Sequence, residues 1–190
     1  MSQASSSKSS SHYPMAPLIR FTLISLYLAL VLPLPWLAPQ PLQPWLWGAL
    51  PLGLLLVVAL VSEEVELSEA GLRVGHPAWC AWLLRRGWQL EWHQITDLTP
   101  VATSQGGRVF YVRTEAGSAY LLPQRVQAFG EFLSHFSQQT GIETRSIGRI
   151  SPPWTYQLLA GLCSAMLLFE ALFAWALVSG RWVIPSAALG

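Results

Sequence analysis

Charged side chains are scarce in this chain. Lys, Arg, Asp and Glu make up 11% of its 190 residues, against about 25% in an average soluble domain. Apolar residues make up 52% of the sequence, and ten of them are Trp, a residue that gathers at membrane–water interfaces. The composition excludes an ordinary soluble domain and predicts that lipid solvates much of the surface.

Neither sign of charge dominates, since the formal net charge is +1. This balance provides no argument for nucleic-acid binding, and we expect no nucleic-acid partner. Cysteine is also rare, and the two residues present, Cys80 and Cys163, lie far apart in the sequence. Such a pair makes neither a disulfide framework nor a metal site.

Catalytic motifs are missing as well. The sequence has no Gly-rich phosphate-binding loop after a strand and no Gly-x-Ser-x-Gly motif. His76 and Cys80 are four residues apart, but a zinc site needs three or four ligands and the sequence offers no further partners. We therefore expect neither an enzymatic activity nor a bound metal or cofactor.

Three long apolar runs predict transmembrane helices, because about 20 apolar residues span the hydrocarbon core of a bilayer. Residues 17–62 are predicted to form a transmembrane hairpin, which an uncharged proline-rich turn divides in two. Residues 154–179 form the third span, in which Glu170 is the one charged residue. The serine-rich residues 1–16 are predicted to be a disordered tail, and residues 180–190 a short tail.

Between these spans, residues 63–141 have the pattern of a small antiparallel β domain. Short segments are separated by turns that contain Gly, which favours a sheet. The predicted strands lie at 65–67, 72–74, 88–92, 109–112 and 119–122. From Pro123 the pattern changes to an amphipathic helix of about four turns, which ends at Gly141 and caps the sheet. Its apolar stripe consists of Val126, Phe129, Leu133 and Phe136. Residues 142–153 are predicted to be a linker.

The distribution of Lys and Arg predicts the orientation, because basic residues gather on the cytoplasmic side of spans. Lys8 and Arg20 precede the first span, and Arg145 and Arg149 precede the third. The turn between the first two spans has neither Lys nor Arg, and only Arg181 argues for the opposite orientation. We therefore place the β domain on the cytoplasmic side of a bacterial inner membrane or a thylakoid.

A stretch rich in Trp and Arg is the first candidate site. The candidate contact residues are Trp79, Trp82, Arg85, Arg86 and Trp88. Aromatic side chains with polar edges, next to two arginines, suit a lipid headgroup interface or a docking site for a partner protein. The alternative is an ordinary strand whose Trp side chains fill the core of the sheet.

Glu170 is the second candidate site. It lies sixteen residues past Trp154, which is roughly 24 Å along a helix at about 1.5 Å per residue. An ionisable group at that depth normally faces protein or water. Three interpretations stay open: a contact to a partner subunit, a ligand to a pigment metal, and a shallower position near Arg181.

Several segments resemble known families. Residues 65–74, 90–98 and 113–117 resemble bacterial pleckstrin-homology-like domains carried on membrane hairpins. The hairpin with such a domain is also similar to the two-helix photosystem I assembly factor of cyanobacteria and plastids, although this chain adds a third span. An uncharacterised cyanobacterial membrane family has similar segments at 87–92, 105–107, 119–126 and 140–144.

The expected architecture is thus three transmembrane helices with a pleckstrin-homology-like sheet and one capping helix. The expected function is a non-enzymatic scaffold, assembly factor or regulatory factor for a larger membrane complex, which the resemblance implies is photosynthetic. The expected partners are the lipid bilayer and subunits of that complex, and a second copy of the chain is a further candidate. The alternative function is a lipid-binding module at the membrane surface.

Overall fold

A computed structural model of the chain describes residues 10–84, 87–104, 107–148 and 153–180. The predicted contact residues Arg85 and Arg86 lie outside the described residues. The chain divides into two compact units. The β unit consists of Met1–Arg20 and Val58–Pro153, and the helical unit consists of Phe21–Val57 and Trp154–Gly190.

Four of the helices are strongly apolar. They are α1 (Pro17–Val31), α2 (Leu34–Leu37), α3 (Gln43–Leu60) and α5 (Pro153–Val178). Three segments are long and apolar enough to cross a membrane, namely Pro17–Leu37, Gln43–Leu60 and Trp154–Val178. The prediction of three helices of spanning length at these positions is confirmed.

More of the prolines lie within helices than the sequence predicted. Pro35 is part of the single turn α2. Pro44 is the second residue of α3, where a backbone N–H has no partner within the helix and its loss costs little. Pro51 lies inside α3, which continues on both sides of it.

Within the helical unit, α1 contacts both of the other long helices. The Tyr27 hydroxyl donates a hydrogen bond to the Leu50 carbonyl of α3, at 2.7 Å. Gly53 lies so close to the Tyr27 ring that a Cβ at this position would collide with it. The Thr22 hydroxyl donates to the Tyr156 carbonyl of α5, at 3.3 Å. Polar contacts of this kind fix the registry of apolar helices, which have no hydrophobic preference for one another in lipid.

The β unit contains two antiparallel sheets. The strands are β1 (Ser11–Pro14), β2 (Glu64–Leu67), β3 (Gly71–Gly75), β4 (Trp88–Glu91), β5 (Ile95–Ala102), β6 (Arg108–Thr114) and β7 (Ala119–Leu121). The first sheet has the order β1-β2-β3-β4, and the second has the order β5-β6-β7. A 3₁₀ turn, Trp92–Gln94, joins them. One amphipathic helix, α4 (Phe129–Thr140), follows the second sheet.

Strand β1 overturns part of the predicted disordered tail. Residues Ser11–Pro14 pair along their whole length with β2, on the far side of the α1–α3 hairpin in the sequence. Tyr13 and Met15 are buried. A serine-rich segment of this length shows no periodicity by itself, and the partner that orders it lies beyond the hairpin. The α1–α3 hairpin is therefore an insertion between two paired strands of one sheet.

The register of this sheet places several connections at one end. Pro14 pairs with Glu64, and Glu64 pairs with Gly75. The chain leaves β1 for α1 at Pro14, enters β2 from α3 at Glu64, and leaves β3 at Gly75. We call this the hairpin end of the sheet. The turn between β2 and β3 lies at the opposite end, next to Leu67 and Leu72.

Two features of the second sheet and of α4 escaped prediction. The sequence did not predict β5, which contains Pro100 and pairs on one side only, with β6, so the missing N–H is tolerated at an edge. Helix α4 begins at Phe129 rather than at Pro123. The residues before it extend along β1 instead, where the Gln127 N–H donates to the Pro14 carbonyl at 2.8 Å.

The core of the β unit lies between the two sheets and α4. The buried face of α4 consists of Phe129, Phe132, Leu133 and Phe136. The predicted stripe is correct for three of these residues and lacks Phe132, which is completely buried. Tyr13 of β1 meets Phe132 edge to face, with 5.7 Å between ring centroids. Gly141 ends the helix in the left-handed conformation, φ 72°, as the sequence predicts.

Candidate functional site

Residues 77–84, in the connection between β3 and β4, form a series of closed turns. Backbone hydrogen bonds close successive turns, from the Cys80 N–H to the Pro77 carbonyl at 3.1 Å and from the Leu83 N–H to the Cys80 carbonyl at 3.0 Å. The Cys80 side chain is buried, and its Sγ lies 3.5 Å from the Pro77 carbonyl oxygen. Cys80 is therefore the buried residue of this segment, and we call residues 77–84 the Trp loop.

The outer surface of the Trp loop is apolar. Trp82 is 79% exposed, Trp79 is 49% exposed and Leu83 is 48% exposed. The indole N–H of Trp82 donates to the Trp79 carbonyl at 2.9 Å. Its one hydrogen-bond donor is thus satisfied within the loop, and the ring presents an apolar surface to its surroundings.

Trp88, the other described residue of the predicted contact set, has a different environment. It lies in β4 rather than on the loop. Its ring packs against Tyr120 of β7, with 5.1 Å between centroids, and it is partly buried against the core. Trp88 thus follows the predicted alternative of a Trp side chain that fills the sheet, whereas Trp79 and Trp82 are exposed.

Glu170, the second candidate site, lies on α5. Both carboxyl oxygens are inaccessible, and neither has a hydrogen-bond partner among the described residues. Cys163 precedes it by seven residues and is buried, and this spacing puts both residues on one face of α5. The contact to a partner subunit stays a prediction, and Glu170 is the one Asp, Glu, Lys or Arg residue on α5.

A polar depression at the start of α4 was not found by sequence reasoning. Its lining residues are Ser11, His12, Tyr13, Pro14, Gln127, Ala128 and Glu131, and its volume is about 360 Å³. Burial raises the pKa of the Tyr13 phenol above its usual value of 10.0, and the carboxylate of Glu131 raises it further. The phenol is therefore neutral at physiological pH. The sequence could not reveal this site, because β1 and the start of α4 lie far apart in the chain and meet only in the folded structure.

The outer face of β1 has a small charge network. The His12 ring nitrogens lie 3.8 Å from Glu64 Oε2 and 3.8 Å from Glu66 Oε1. Arg73 of β3 approaches Glu66 at 3.9 Å. All four side chains are at least one third exposed, so the network is worth little in water. Among the described residues, no group of three His, Cys, Asp or Glu side chains could hold a metal ion.

Comparison with known proteins identifies a relative. No protein-family model matches the chain. The chain is 42% identical, over 153 residues, to the uncharacterized protein slr0269 of the cyanobacterium Synechocystis sp.. The match covers 77% of each protein. This supports the predicted resemblance to an uncharacterised cyanobacterial family. At this identity and coverage, the chain belongs to the same family as slr0269.

Proposed function

We propose that the protein crosses a membrane three times and acts there as a non-enzymatic scaffold or assembly factor for a larger membrane complex. The exposed surface of the long helices supports the membrane part of this proposal. Leu52 of α3 is 68% exposed, and Leu162 and Phe169 of α5 are 61% and 69% exposed. Each apolar Å² left in water costs about 25 cal/mol, so a bilayer is the solvent that suits these helices.

We assign the β unit, within this proposal, to the pleckstrin-homology-like domains. A four-stranded sheet, a three-stranded sheet and one amphipathic helix follow one another in the chain, and this order supports the assignment. Sheets of this kind bind proteins or lipids through loops and edges and need no catalytic group. A fold by itself does not imply a function, so the role is argued from the surfaces.

The pairing of β1 with β2 is the observation that carries the scaffold proposal. The two strands flank the hairpin in the sequence and form four residue pairs. The β unit is therefore complete only when both ends of the hairpin enter it, and its first sheet is connected to two helices through two short links. A sheet that is completed by both ends of the hairpin suits a protein that holds partners at a membrane surface.

The orientation and the complex are further parts of the proposal. Arg20 and Arg145 flank the proposed spans on the side of the β unit, which supports a cytoplasmic location for that unit. Membership of a family with a cyanobacterial member supports a photosynthetic membrane and a photosynthetic complex. The partners would be subunits of that complex.

Affinity purification tests the scaffold proposal. The tagged full-length chain is purified from its own membranes in mild detergent, and the eluate is analysed by mass spectrometry and absorption spectroscopy. We expect a reproducible set of membrane-complex subunits that a tagged single-span control protein does not retain. Recovery of the chain alone, in several mild detergents and after crosslinking, would contradict the proposal.

Glu170 provides a more specific test of the partner contact. Glu170→Gln keeps the shape and the hydrogen-bonding capacity, so we expect the same partners as in the wild type. Glu170→Leu should insert more readily and retain fewer partners, although interhelical polar contacts average only about 0.6 kcal/mol. If the Leu variant retains the same partners at the same yield, Glu170 has no partner role.

The second candidate function is lipid binding by the β unit at the membrane surface. The exposed apolar face of the Trp loop favours it, because an apolar surface of this kind is unusual on a domain surrounded by water. Salt dependence tests the contribution that Arg85 and Arg86 would make to this binding, since contacts of basic side chains with anionic headgroups weaken with ionic strength.

A further inference from the structure

We infer that the Trp loop is an interfacial anchor, which inserts Trp79, Trp82 and Leu83 into the headgroup region of the bilayer that the protein's own helices cross. The inference rests on the proposed membrane insertion of α1, α3 and α5. It names the surface of the β unit that contacts the lipid. It also gives the β unit an attachment to the membrane besides its chain links to α1, α3 and α5.

The strand register brings the Trp loop to the correct end of the sheet. Pro14, Glu64 and Gly75 are paired in a row across β1, β2 and β3. Two residues separate Pro14 from the start of α1, and three residues separate the end of α3 from Glu64. Neighbouring strands lie about 4.8 Å apart, so the loop leaves Gly75 about 10 Å from the first of these junctions. The loop and both helix junctions thus share the hairpin end.

The links between this end of the sheet and the two helices are short. An extended chain covers at most about 3.6 Å per residue step, so Pro14 to the start of α1 spans at most about 11 Å and the end of α3 to Glu64 at most about 14 Å. The β3–β4 connection runs from residue 76 to residue 87 and is long enough to extend past the end of the sheet. If α1 and α3 end at the membrane surface, the tip of this connection lies at the headgroups.

The chemistry of the tip suits the headgroup region. Trp is enriched at this depth, where an amphipathic ring lies between hydrocarbon and water. The Trp82 indole N–H is already bonded to the Trp79 carbonyl, so its transfer out of water breaks no hydrogen bond. Leu83 adds an aliphatic group beside the two rings.

The loop is preformed, which lowers the entropic cost of insertion. Its turns are closed by backbone hydrogen bonds, and Cys80 is buried beneath it. At its return into the sheet, Gly87 lies against the Val74 carbonyl so closely that a Cβ there would collide with it. The exposed side chains are therefore presented on a rigid base rather than on a mobile segment.

Spin-label accessibility in nanodiscs tests the inference on the full-length chain. Single cysteines are introduced by Leu83→Cys at the Trp loop, Glu69→Cys at the opposite end of the sheet, and Leu168→Cys on the exposed face of α5. Cys80 and Cys163 are replaced by Ala. The nanodiscs contain phosphatidylcholine and phosphatidylglycerol, and the relaxing agents are oxygen and a water-soluble nickel chelate.

We expect the ratio of oxygen accessibility to nickel accessibility at position 83 to be several-fold higher than at position 69, and to approach the ratio at position 168. The double substitution Trp79→Ala, Trp82→Ala should lower the ratio at position 83 towards that at position 69. A label at position 83 that is as accessible to nickel as the label at position 69 overturns the inference. A label at position 83 that neither agent reaches also overturns it, because a protein then covers the loop.

The label on α5 separates this inference from the function on which it rests. If position 168 is lipid-exposed and position 83 is not, the three spans stand and the anchor fails. If position 168 is accessible to nickel, the proposed membrane insertion fails as well. Should Cys80→Ala prevent folding, quenching by brominated lipids provides the second measurement: the difference between the wild type and Trp82→Phe isolates the Trp82 signal, and a zero difference overturns the inference.

Discussion

The integration of β1 into the β unit makes Tyr13 the most informative residue to change. Tyr13 is 5% exposed and meets Phe132 of α4 edge to face. An aromatic side chain buries about 150–250 Å², which at about 25 cal/mol per Å² corresponds to about 4–6 kcal/mol as an upper bound. Measured truncations of large buried aromatic side chains to Ala cost about 3–5 kcal/mol. We therefore expect Tyr13→Ala to lower the free energy of unfolding of the β unit by about 3–5 kcal/mol.

The matched control is on the same strand. His12 points to the other face, is half exposed and has only surface ion pairs with Glu64 and Glu66. Such pairs are worth about 0–1 kcal/mol, so His12→Ala should change stability by no more than that. Tyr13→Phe keeps the ring and its contact with Phe132, and it should stay close to the wild type at neutral pH.

Pulse proteolysis of the full-length chain in detergent micelles measures this effect. Urea unfolds the β unit, a short protease pulse removes the unfolded fraction, and the remaining intact chain gives the midpoint. A stability of about 5–15 kcal/mol is normal for a domain, so the loss in Tyr13→Ala should shift the midpoint strongly. If Tyr13→Ala and His12→Ala shift it equally and slightly, β1 is not part of the folded unit and the hairpin is not an insertion within a sheet.

Three further predictions concern the core face of α4, the ionisation of Tyr13 and the orientation of the β unit. Phe129 is buried on α4, so Phe129→Ala should cost about 3–5 kcal/mol and make the β unit sensitive to protease, whereas the exposed Ser134→Ala should not; an unaffected Phe129 variant would exclude this face from the core. The pKa of the Tyr13 phenol is raised above its usual value of 10.0 in the folded state. The neutral phenol therefore stabilises the fold fully below pH 10.0, and this contribution is lost as the pH rises through the raised pKa. Tyr13→Phe should lose less stability than the wild type in that range, which urea midpoints at several pH values will measure. A reporter fused at Ser104 should be cytoplasmic and one at the C-terminus external, and alkaline phosphatase activity from the Ser104 fusion alone would reverse the orientation.

The sequence was most informative where one local property decides the structure. Spanning length and apolar composition need no partner to be recognised, and the three long helices lie where the apolar runs predict them. The face of α4 follows from the spacing of Phe129, Leu133 and Phe136, and Gly141 marks its end because a left-handed residue without Cβ stops a helix.

The environment of the candidate contact residues was only partly predictable from the sequence. A run of Trp and Arg residues indicates an interaction surface, but alternation cannot tell an exposed Trp from one that packs in a sheet. The structure exposes Trp82 on a closed turn and packs Trp88 against Tyr120. The difference lies in the tertiary environment: Trp88 is in β4 beside β7, whereas Trp82 is on the connection between β3 and β4.

The sequence by itself therefore determined the elements that local composition and periodicity encode: three helices long and apolar enough to cross a membrane, one amphipathic helix and a series of short strands. Only the tertiary structure decided that Ser11–Pro14 is a strand, because its partner β2 lies beyond the α1–α3 hairpin. Only the tertiary structure decided that the residues before α4 extend along β1, so that the helix begins at Phe129 rather than at Pro123. The same pairing brings the Trp loop to the hairpin end of the sheet. Hydrogen bonds between strands carry no sequence code over such a separation, so the register, and with it the position of the site, exists only in the folded chain.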